Sequence, residues 1–151
     1  MNYNKLIDSI HLLKQDSPPK WGIMNSSMML KHCSAFIDVY LNKTKLNPLI
    51  FLVGFVFGIF HRLYLKYIVR YNVKNYIKNL PTLKVFNTYR YENIDFEFEK
   101  NKLINDLKEV ESINKEYLFN NFHGIVPNKS FKKVVYFHTS YHLYQFDVYK
   151  T

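Results

Sequence analysis

The most apolar stretch of the sequence covers residues 48–60 and reads PLIFLVGFVFGIF, in which every residue is apolar or glycine. His61 and Arg62 end it after 13 residues, whereas a helix that spans a bilayer needs about 20. The stretch is therefore predicted to form a buried or interfacial helix and not a stable membrane span. Gly54 and Gly58 are small residues four positions apart, which lets two helices approach closely. This pair predicts core packing or a homodimer contact.

The composition around this stretch favours helices in one domain. Of the 151 residues, 48% are hydrophobic and 18% aromatic, which is ample material for a single core. A chain of this length rarely divides into two domains. Only four glycines and five prolines interrupt it, as is typical of long helices rather than of many short strands. We therefore predict a single all-α domain over residues 1–151.

Apolar residues at helical spacing predict four amphipathic helices on the two sides of the apolar stretch. They cover about residues 3–14, 25–42, 94–112 and 128–146. Asn25 is predicted to cap the second helix, and Asn128 or Ser130 the last, because a side-chain oxygen can accept a hydrogen bond from the free amides of a first turn. The segment 113–127 is predicted to be a loop.

Three histidines form the candidate metal site. His138 and His142 lie four residues apart on the last predicted helix, so both rings leave one face and can reach one ion. Zinc binds neutral imidazole, and three protein ligands plus a water are usual where the metal is catalytic. His32 lies in an otherwise apolar part of the second helix, where an unpaired imidazole would cost stability. Two alternatives stay open: the pair can be surface residues, and His32 can be a core histidine bonded to a tyrosine.

The charge of the chain predicts an anionic partner without identifying it. The net charge is +9, which attracts nucleic acid, acidic lipid and anionic substrates alike. Basic residues recur every four positions after the apolar stretch, with tyrosines between them. They are Arg62, Lys66, Arg70, Lys74 and Lys78, with Tyr64, Tyr67, Tyr71 and Tyr76. We predict a solvated helix face, with nucleic-acid or membrane contact as the less favoured alternative.

The remaining reactive side chains receive no role in chemistry. Cys33 is the single cysteine, so the chain forms no internal disulfide. Because the first residues also lack a secretory pattern, a cytoplasmic location is expected. Cys33 is predicted to be a small core thiol, since adjacent helical residues point about 100° apart and only His32 then faces the metal. His11, His61 and His123 have no partner pattern.

Several ordered motifs carry a family resemblance. Trp21-Gly22-Ile23-Met24, Met29-Leu30-Lys31-His32 and the segment from His138 to Phe146 resemble the W-G-x-M, M-L-x-H and H-x-x-x-H-x-x-Q-F motifs in one branch of the DinB/YfiT-like superfamily. The segments 78–82 and 95–103 also look like that branch. The resemblance implies an up-down-down-up four-helix bundle whose metal is held by one histidine on the second helix and two on the fourth. Carried over, these are His32, His138 and His142.

The resemblance also implies surroundings for the metal. Gln145, one turn beyond His142, can hold a ligand ring or a metal-bound water or be a solvated residue at the helix end, and the resemblance favours the site. Gln145 and Tyr141 are predicted at the rim of the metal pocket. Tyr141 is itself a departure, because relatives tend to have a histidine there. An up-down-down-up bundle makes its second and third helices parallel and needs a long connection between them. Residues 44–93 supply this connection and include the apolar stretch.

Two classes of function follow. The resemblance implies a metal-dependent enzyme, with zinc or nickel as the divalent ion, that uses a small thiol or a metal-bound water on a small-molecule substrate. The alternative is a non-catalytic binding module, in which the basic, tyrosine-rich helix face contacts nucleic acid or an acidic membrane. Salt dependence separates them, because phosphate contacts weaken steeply with ionic strength.

Overall fold

The structure, a computed structural model, describes residues 1–45, 48–120 and 124–150, except for the side chains of residues 48–51, 53–55 and 120. Within these residues the chain is mostly helical and carries one small sheet. Its helices are α1 (Tyr3–Leu12), α2 (Ser26–Tyr40), α3 (Pro48–Tyr64), α4 (Phe96–Ser112) and α5 (Asn128–Gln145). Its strands are β1 (Tyr117–Asn120) and β2 (Gly124–Pro127). The four predicted amphipathic helices are therefore confirmed, with their ends within about two residues.

Side-chain caps fix two of the helix starts. The side-chain oxygen of Asn25 accepts a hydrogen bond of 2.8 Å from the amide of Met28, so the predicted cap of α2 is confirmed. Asp95 caps α4 in the same way through the amide of Phe98. The predicted cap of α5 is wrong. Asn128 already belongs to that helix and its side-chain nitrogen donates instead to the carbonyl of Ile113, because β2 runs into α5 without a turn between them.

The two strands correct the loop prediction for residues 113–127 and with it the all-α class. β1 and β2 form an antiparallel hairpin in which Tyr117 pairs with Pro127. Along β2, Val126 is buried and Ile125 is exposed. This alternation is the period-two pattern of a half-buried strand, and aromatic and β-branched residues favour it.

The helices that carry the histidines are neighbours. α2 packs most extensively against α4, and α1 contacts both α4 and α5, while α5 also contacts α2. The core between them is built from large aliphatic and aromatic side chains. Its fully buried members include Leu6, Ile10, Met29, Leu30, Ile37, Leu103, Leu107, Phe131 and Leu143. Burying each such side chain contributes about 1.5–3 kcal/mol.

Ion pairs add to the contact between α2 and α4. Lys102 lies 2.9 Å from Asp38 and 2.8 Å from Asp106, and Lys31 lies 2.6 Å from Glu99. Burial raises the pKa of Asp106, which the hydrogen bond from Lys102 opposes. These pairs fix α2, which carries His32, against the rest of the protein.

The apolar stretch forms α3, as predicted, but the described part of α3 is not buried. Leu52, Phe57 and Phe60 are 61%, 64% and 67% exposed. These exposed side chains contradict a helix buried along its whole described length, while an interfacial helix stays a prediction. Gly58 is buried, and Gly54 falls among the residues whose surroundings lie outside the described part. Among the described residues, no helix combines the length and apolarity that crossing a bilayer requires.

The prediction that the basic residues share one helix face is wrong. α3 continues as a π-helical turn over Leu65–Val69, and the helix then ends because Arg70 and Tyr71 have left-handed φ values of 55° and 54°. Lys74 follows in a 3-10 turn over Val73–Asn75. The chain therefore changes direction within the basic segment, and its positive charges do not line one surface of a helix.

Candidate metal centre

Three histidine rings meet between α2 and α5. His32 comes from α2, and His138 and His142 come from successive turns of α5. The ring centroids lie 5.1 Å apart for His32 and His138, and 4.7 Å apart for each of the other two pairs. One ring nitrogen from each lies within 4.8 Å of the others. This cluster could hold a metal ion.

A backbone carbonyl orients His32. Its Nδ1 lies 2.8 Å from the carbonyl oxygen of Phe86, the last residue of a 3-10 turn over Lys84–Phe86. A carbonyl oxygen only accepts hydrogen bonds, so Nδ1 carries the proton and Nε2 keeps its lone pair. No sequence pattern predicts this contact, because any residue supplies a backbone carbonyl.

A glutamine orients His142. Nε2 of Gln145 donates a hydrogen bond of 2.7 Å to the backbone carbonyl of Trp21, so Oε1 of Gln145 faces the other way. Oε1 lies 2.9 Å from Nδ1 of His142 and accepts its proton. Nε2 of His142 is thereby left as the nitrogen with a free lone pair. The contact expected for Gln145 from the resemblance, to a ligand ring, is present in this geometry.

His138 is held by stacking rather than by a hydrogen bond. Its ring lies parallel to that of Phe36, with centroids 3.8 Å apart and an angle of 6° between the planes. Its Nδ1 is buried and has no hydrogen-bond partner among the described residues. Buried polar nitrogens are nearly always paired. No hydrogen bond to a described residue therefore fixes the tautomer of His138.

The cluster is neutral at pH 7. Burial lowers the pKa of His32, and it lowers the pKa of His142 to about 3. Burial also lowers the pKa of His138 well below its usual range, with further contributions from His142, His32 and His61. Neutral imidazole is the form that binds metals. The lone pairs are therefore available without the loss of a proton.

A glycine with a positive φ allows the contact between Gln145 and the backbone at Trp21. Gly22 has a φ of +81°, which L side chains rarely adopt, and a Cβ added to it would lie 3.0 Å from Nε2 of Gln145. Only glycine therefore lets the backbone at Trp21 come this close to Gln145. The Trp21-Gly22 pair of the sequence motif thus contributes to the histidine cluster through its backbone.

A cavity of about 560 Å³ opens beside the histidines. Its wall contains His32, His138 and His142 together with a large number of aromatic rings. The rings belong to Trp21, Phe36, Phe57, Phe60, Tyr64, Tyr76, Phe86, Tyr89 and Tyr141. Its volume is that of a typical small-molecule site. Phe57 and Phe60 show that the apolar stretch forms part of this wall, which the sequence did not predict.

A fourth histidine also lines the cavity. His61 lies on α3, with its Nε2 3.1 Å from the hydroxyl of Tyr76. Burial lowers the pKa of His61 to about 4. The sequence does not predict this contact, because a spacing of 15 residues across a bent segment follows no helical or strand period. His61 does not belong to the group of three histidines whose nitrogens converge.

The other candidate residues do not belong to the group of three converging histidines. The hydroxyl of Tyr141 donates to the carbonyl of Ile77 at 3.3 Å, and its ring lies 5.2 Å from that of His142. Cys33 is a buried free thiol, as predicted, and contacts Met29. His11 is exposed. His123 lies outside the described residues.

No family model, curated protein or solved structure matches the chain. The resemblance to the DinB/YfiT-like superfamily therefore stays a prediction. The support for a metal centre comes from the side-chain geometry of the three histidines.

Proposed function

We propose that the chain is a metal-dependent enzyme of the DinB/YfiT-like type, in which His32, His138 and His142 hold one divalent ion, zinc or nickel, beside a small-molecule substrate. One observation carries the proposal. Three neutral imidazoles converge, those of His32 and His142 buried and that of His138 half-buried, and hydrogen bonds leave Nε2 with a free lone pair on two of them.

The packing of the helices supports the proposed bundle. α1 and α2 each contact both α4 and α5, which is the arrangement of four helices around one core. The long connection from residue 41 to residue 95 joins α2 to α4. A connection of this length suits an up-down-down-up topology, in which these two helices are parallel.

The donor set fits a metal with an open position. When bound, a divalent ion with three neutral imidazole ligands keeps its full positive charge and lowers the pKa of a coordinated water or thiol. Phe86 and Gln145 hold two of the rings in the required tautomer. The surrounding aromatic rings exclude water, which strengthens electrostatic interactions inside the cavity.

His61 supplies a candidate proton acceptor in the same cavity. Because burial lowers its pKa to about 4, its imidazole is neutral at pH 7. The hydroxyl of Tyr76 lies 3.1 Å from Nε2 and hydrogen-bonds to the ring, and burial raises the pKa of Tyr76, so this hydroxyl keeps its own proton. The lining of the cavity includes no carboxylate among the described residues. His61, held by Tyr76, therefore takes the place of the carboxylate that acts as general base in other enzymes.

Cobalt substitution tests the proposed chemistry. Cobalt in the three-histidine site should give a spectrum that changes when a small thiol is added, with a new sulfur-to-metal absorption band. A spectrum that responds to hydroxide but to no thiol would favour chemistry with water. A spectrum that responds to neither would mean that the fourth position is closed, and would contradict a catalytic role.

A homodimer is a further part of the proposal. The exposed apolar residues Leu52, Val56 and Leu63 on α3 are spaced by four and seven positions, so they share one helix face. Such a face favours contact with a second copy of the chain. Gly58 is buried within the chain on the opposite side of this helix and takes no part in the exposed face.

A further inference from the structure

The wall of the cavity beside the histidines is apolar almost throughout. Nine aromatic rings line it, and Met24, Ile77, Leu80 and Leu83 add aliphatic surface. The polar groups are few and neutral, and they include the histidines, Gln145 and Asn79. Sites of this kind bind the apolar body of a ligand and orient it through a small number of polar groups.

Charged side chains are absent from this wall. No Asp, Glu, Lys or Arg lines the cavity within the described ranges, although the chain carries 21 basic and 12 acidic residues. Nζ of Lys78 lies 4.7 Å from the ring centre of Trp21, but Lys78 is exposed and does not line the cavity. The cavity therefore offers a charged ligand no partner except a metal bound by the histidines.

Two phenylalanines on α3 form an apolar side of the cavity that is exposed to solvent. Phe57 and Phe60 line it and yet are 64% and 67% exposed. Large exposed apolar rings in a concave surface favour contact with an apolar ligand, because covering them releases water. A short ligand held at the histidines would leave these rings in water, whereas an extended one would cover them.

We infer that the cavity binds a small molecule with one metal-coordinating head group and an extended, uncharged apolar body that packs against Trp21, Phe57 and Phe60. This inference rests on the proposed metal site and adds the class of substrate. Polar or multiply charged substrates are therefore not expected in this cavity, although the surface of the protein is strongly basic.

Trp21 provides a direct readout of binding. It is the only tryptophan of the chain and it lines the cavity. The probes are straight-chain hydroxamates from acetohydroxamate to hexanohydroxamate, added to the full-length, zinc-loaded protein while tryptophan fluorescence is recorded. Burial of a methylene group is worth about 0.8 kcal/mol, which is close to fourfold in affinity. The longest probe, which has four more methylene groups, should therefore bind about 200-fold more tightly than the shortest.

Matched variants locate the apolar body. Phe57→Ala and Phe60→Ala should each weaken hexanohydroxamate roughly fivefold and leave acetohydroxamate within about twofold, because only the longer chain reaches these rings. Phe98→Ala is the control, since Phe98 is equally exposed at 62% but lies on α4, away from the cavity. It should change neither affinity.

Two outcomes would overturn the inference. One is an affinity that does not depend on chain length. The other is equal binding of a hydroxamate whose chain has the same length but carries ether oxygens. Failure of the metal proposal alone gives a different result. Hydroxamates would then bind equally well with and without zinc, and chelator-treated protein would bind straight-chain alcohols with the same dependence on chain length.

Discussion

Gln145 holds His142 in one orientation by bridging it to a distant loop. The side-chain oxygen of Gln145 lies 2.9 Å from Nδ1 of His142, and its nitrogen donates to the carbonyl of Trp21 at 2.7 Å. Rotation of the amide would break both hydrogen bonds at once. The orientation of one candidate ligand therefore depends on a loop 124 residues away in sequence from Gln145.

Removal of this bridge should weaken metal binding. In Gln145→Ala, Nδ1 of His142 loses its acceptor, so the ring can turn away or change tautomer, and losses of about 10–100-fold in metal affinity are usual for such changes. Competition with a chromophoric chelator measures this affinity. Gln15→Ala is the matched control because Gln15 is exposed. Equal affinities in the two variants would contradict the role of Gln145.

Gly22→Ala should damage both the fold and the metal site. Alanine at a φ of +81° costs about 1–2 kcal/mol of unfolding free energy, and its Cβ would lie 3.0 Å from Nε2 of Gln145. Gly124→Ala is the control, because Gly124 also has a positive φ of 66° but lies in the β-hairpin. Both variants should lose stability in urea unfolding, and only Gly22→Ala should lose metal affinity. Similar metal affinity in both would show that Trp21 and Gln145 tolerate the added carbon.

The sequence predicts the helices and the three histidines well, because both depend on local periodicity. His138 and His142 share a face through their spacing, and the apolar surroundings of His32 identify it as a buried polar residue. The Asn25 cap follows from the same local rules. These features need no knowledge of which segments meet.

The parts that the sequence does not predict depend on long-range packing. The carbonyl of Phe86 has no side-chain signature, and its contact with His32 joins residues 54 apart. The left-handed backbone at Arg70 and Tyr71 redirects the connection, which is why the regular spacing of basic residues indicated a helix that the structure does not contain. The placement of His61 in the cavity follows from that connection.

The chelator-treated protein should become less stable in acid. The folded pKa of His142 is lowered to about 3, so below pH 6.5 the unfolded chain binds a proton that the folded chain does not. Stability contributed by this group is complete above pH 6.5 and is lost as the pH falls. Between pH 6.5 and pH 5 the loss is roughly 2 kcal/mol for His142 alone. His32 and His138 act in the same direction.

Urea unfolding at pH 7 and at pH 5 measures this loss. His142→Gln should reduce the difference between the two conditions, because glutamine does not titrate. His11→Gln should leave it unchanged, since His11 is exposed. An unfolding free energy that is the same at both pH values would mean that the buried histidines accept protons freely in the folded protein.

The exposed face of α3 should mediate dimer formation. Leu63→Glu introduces a charge among the exposed apolar residues and should convert the protein to a monomer in sedimentation equilibrium. Phe98→Glu is the control on α4, where the phenylalanine is 62% exposed. A wild-type protein that is monomeric at high concentration would contradict the dimer and leave the face to a ligand.

The metal content of protein purified without a histidine tag tests the central claim most directly. Elemental analysis should find close to one divalent ion per chain in the wild type, and little in His32→Ala, His138→Ala and His142→Ala, because each variant removes one of only three ligands. His61→Ala should retain the metal, although His61 lines the same cavity. Circular dichroism establishes that each variant is folded. Full metal content in all three triad variants, or none in the wild type even after incubation with zinc and nickel, would contradict the account.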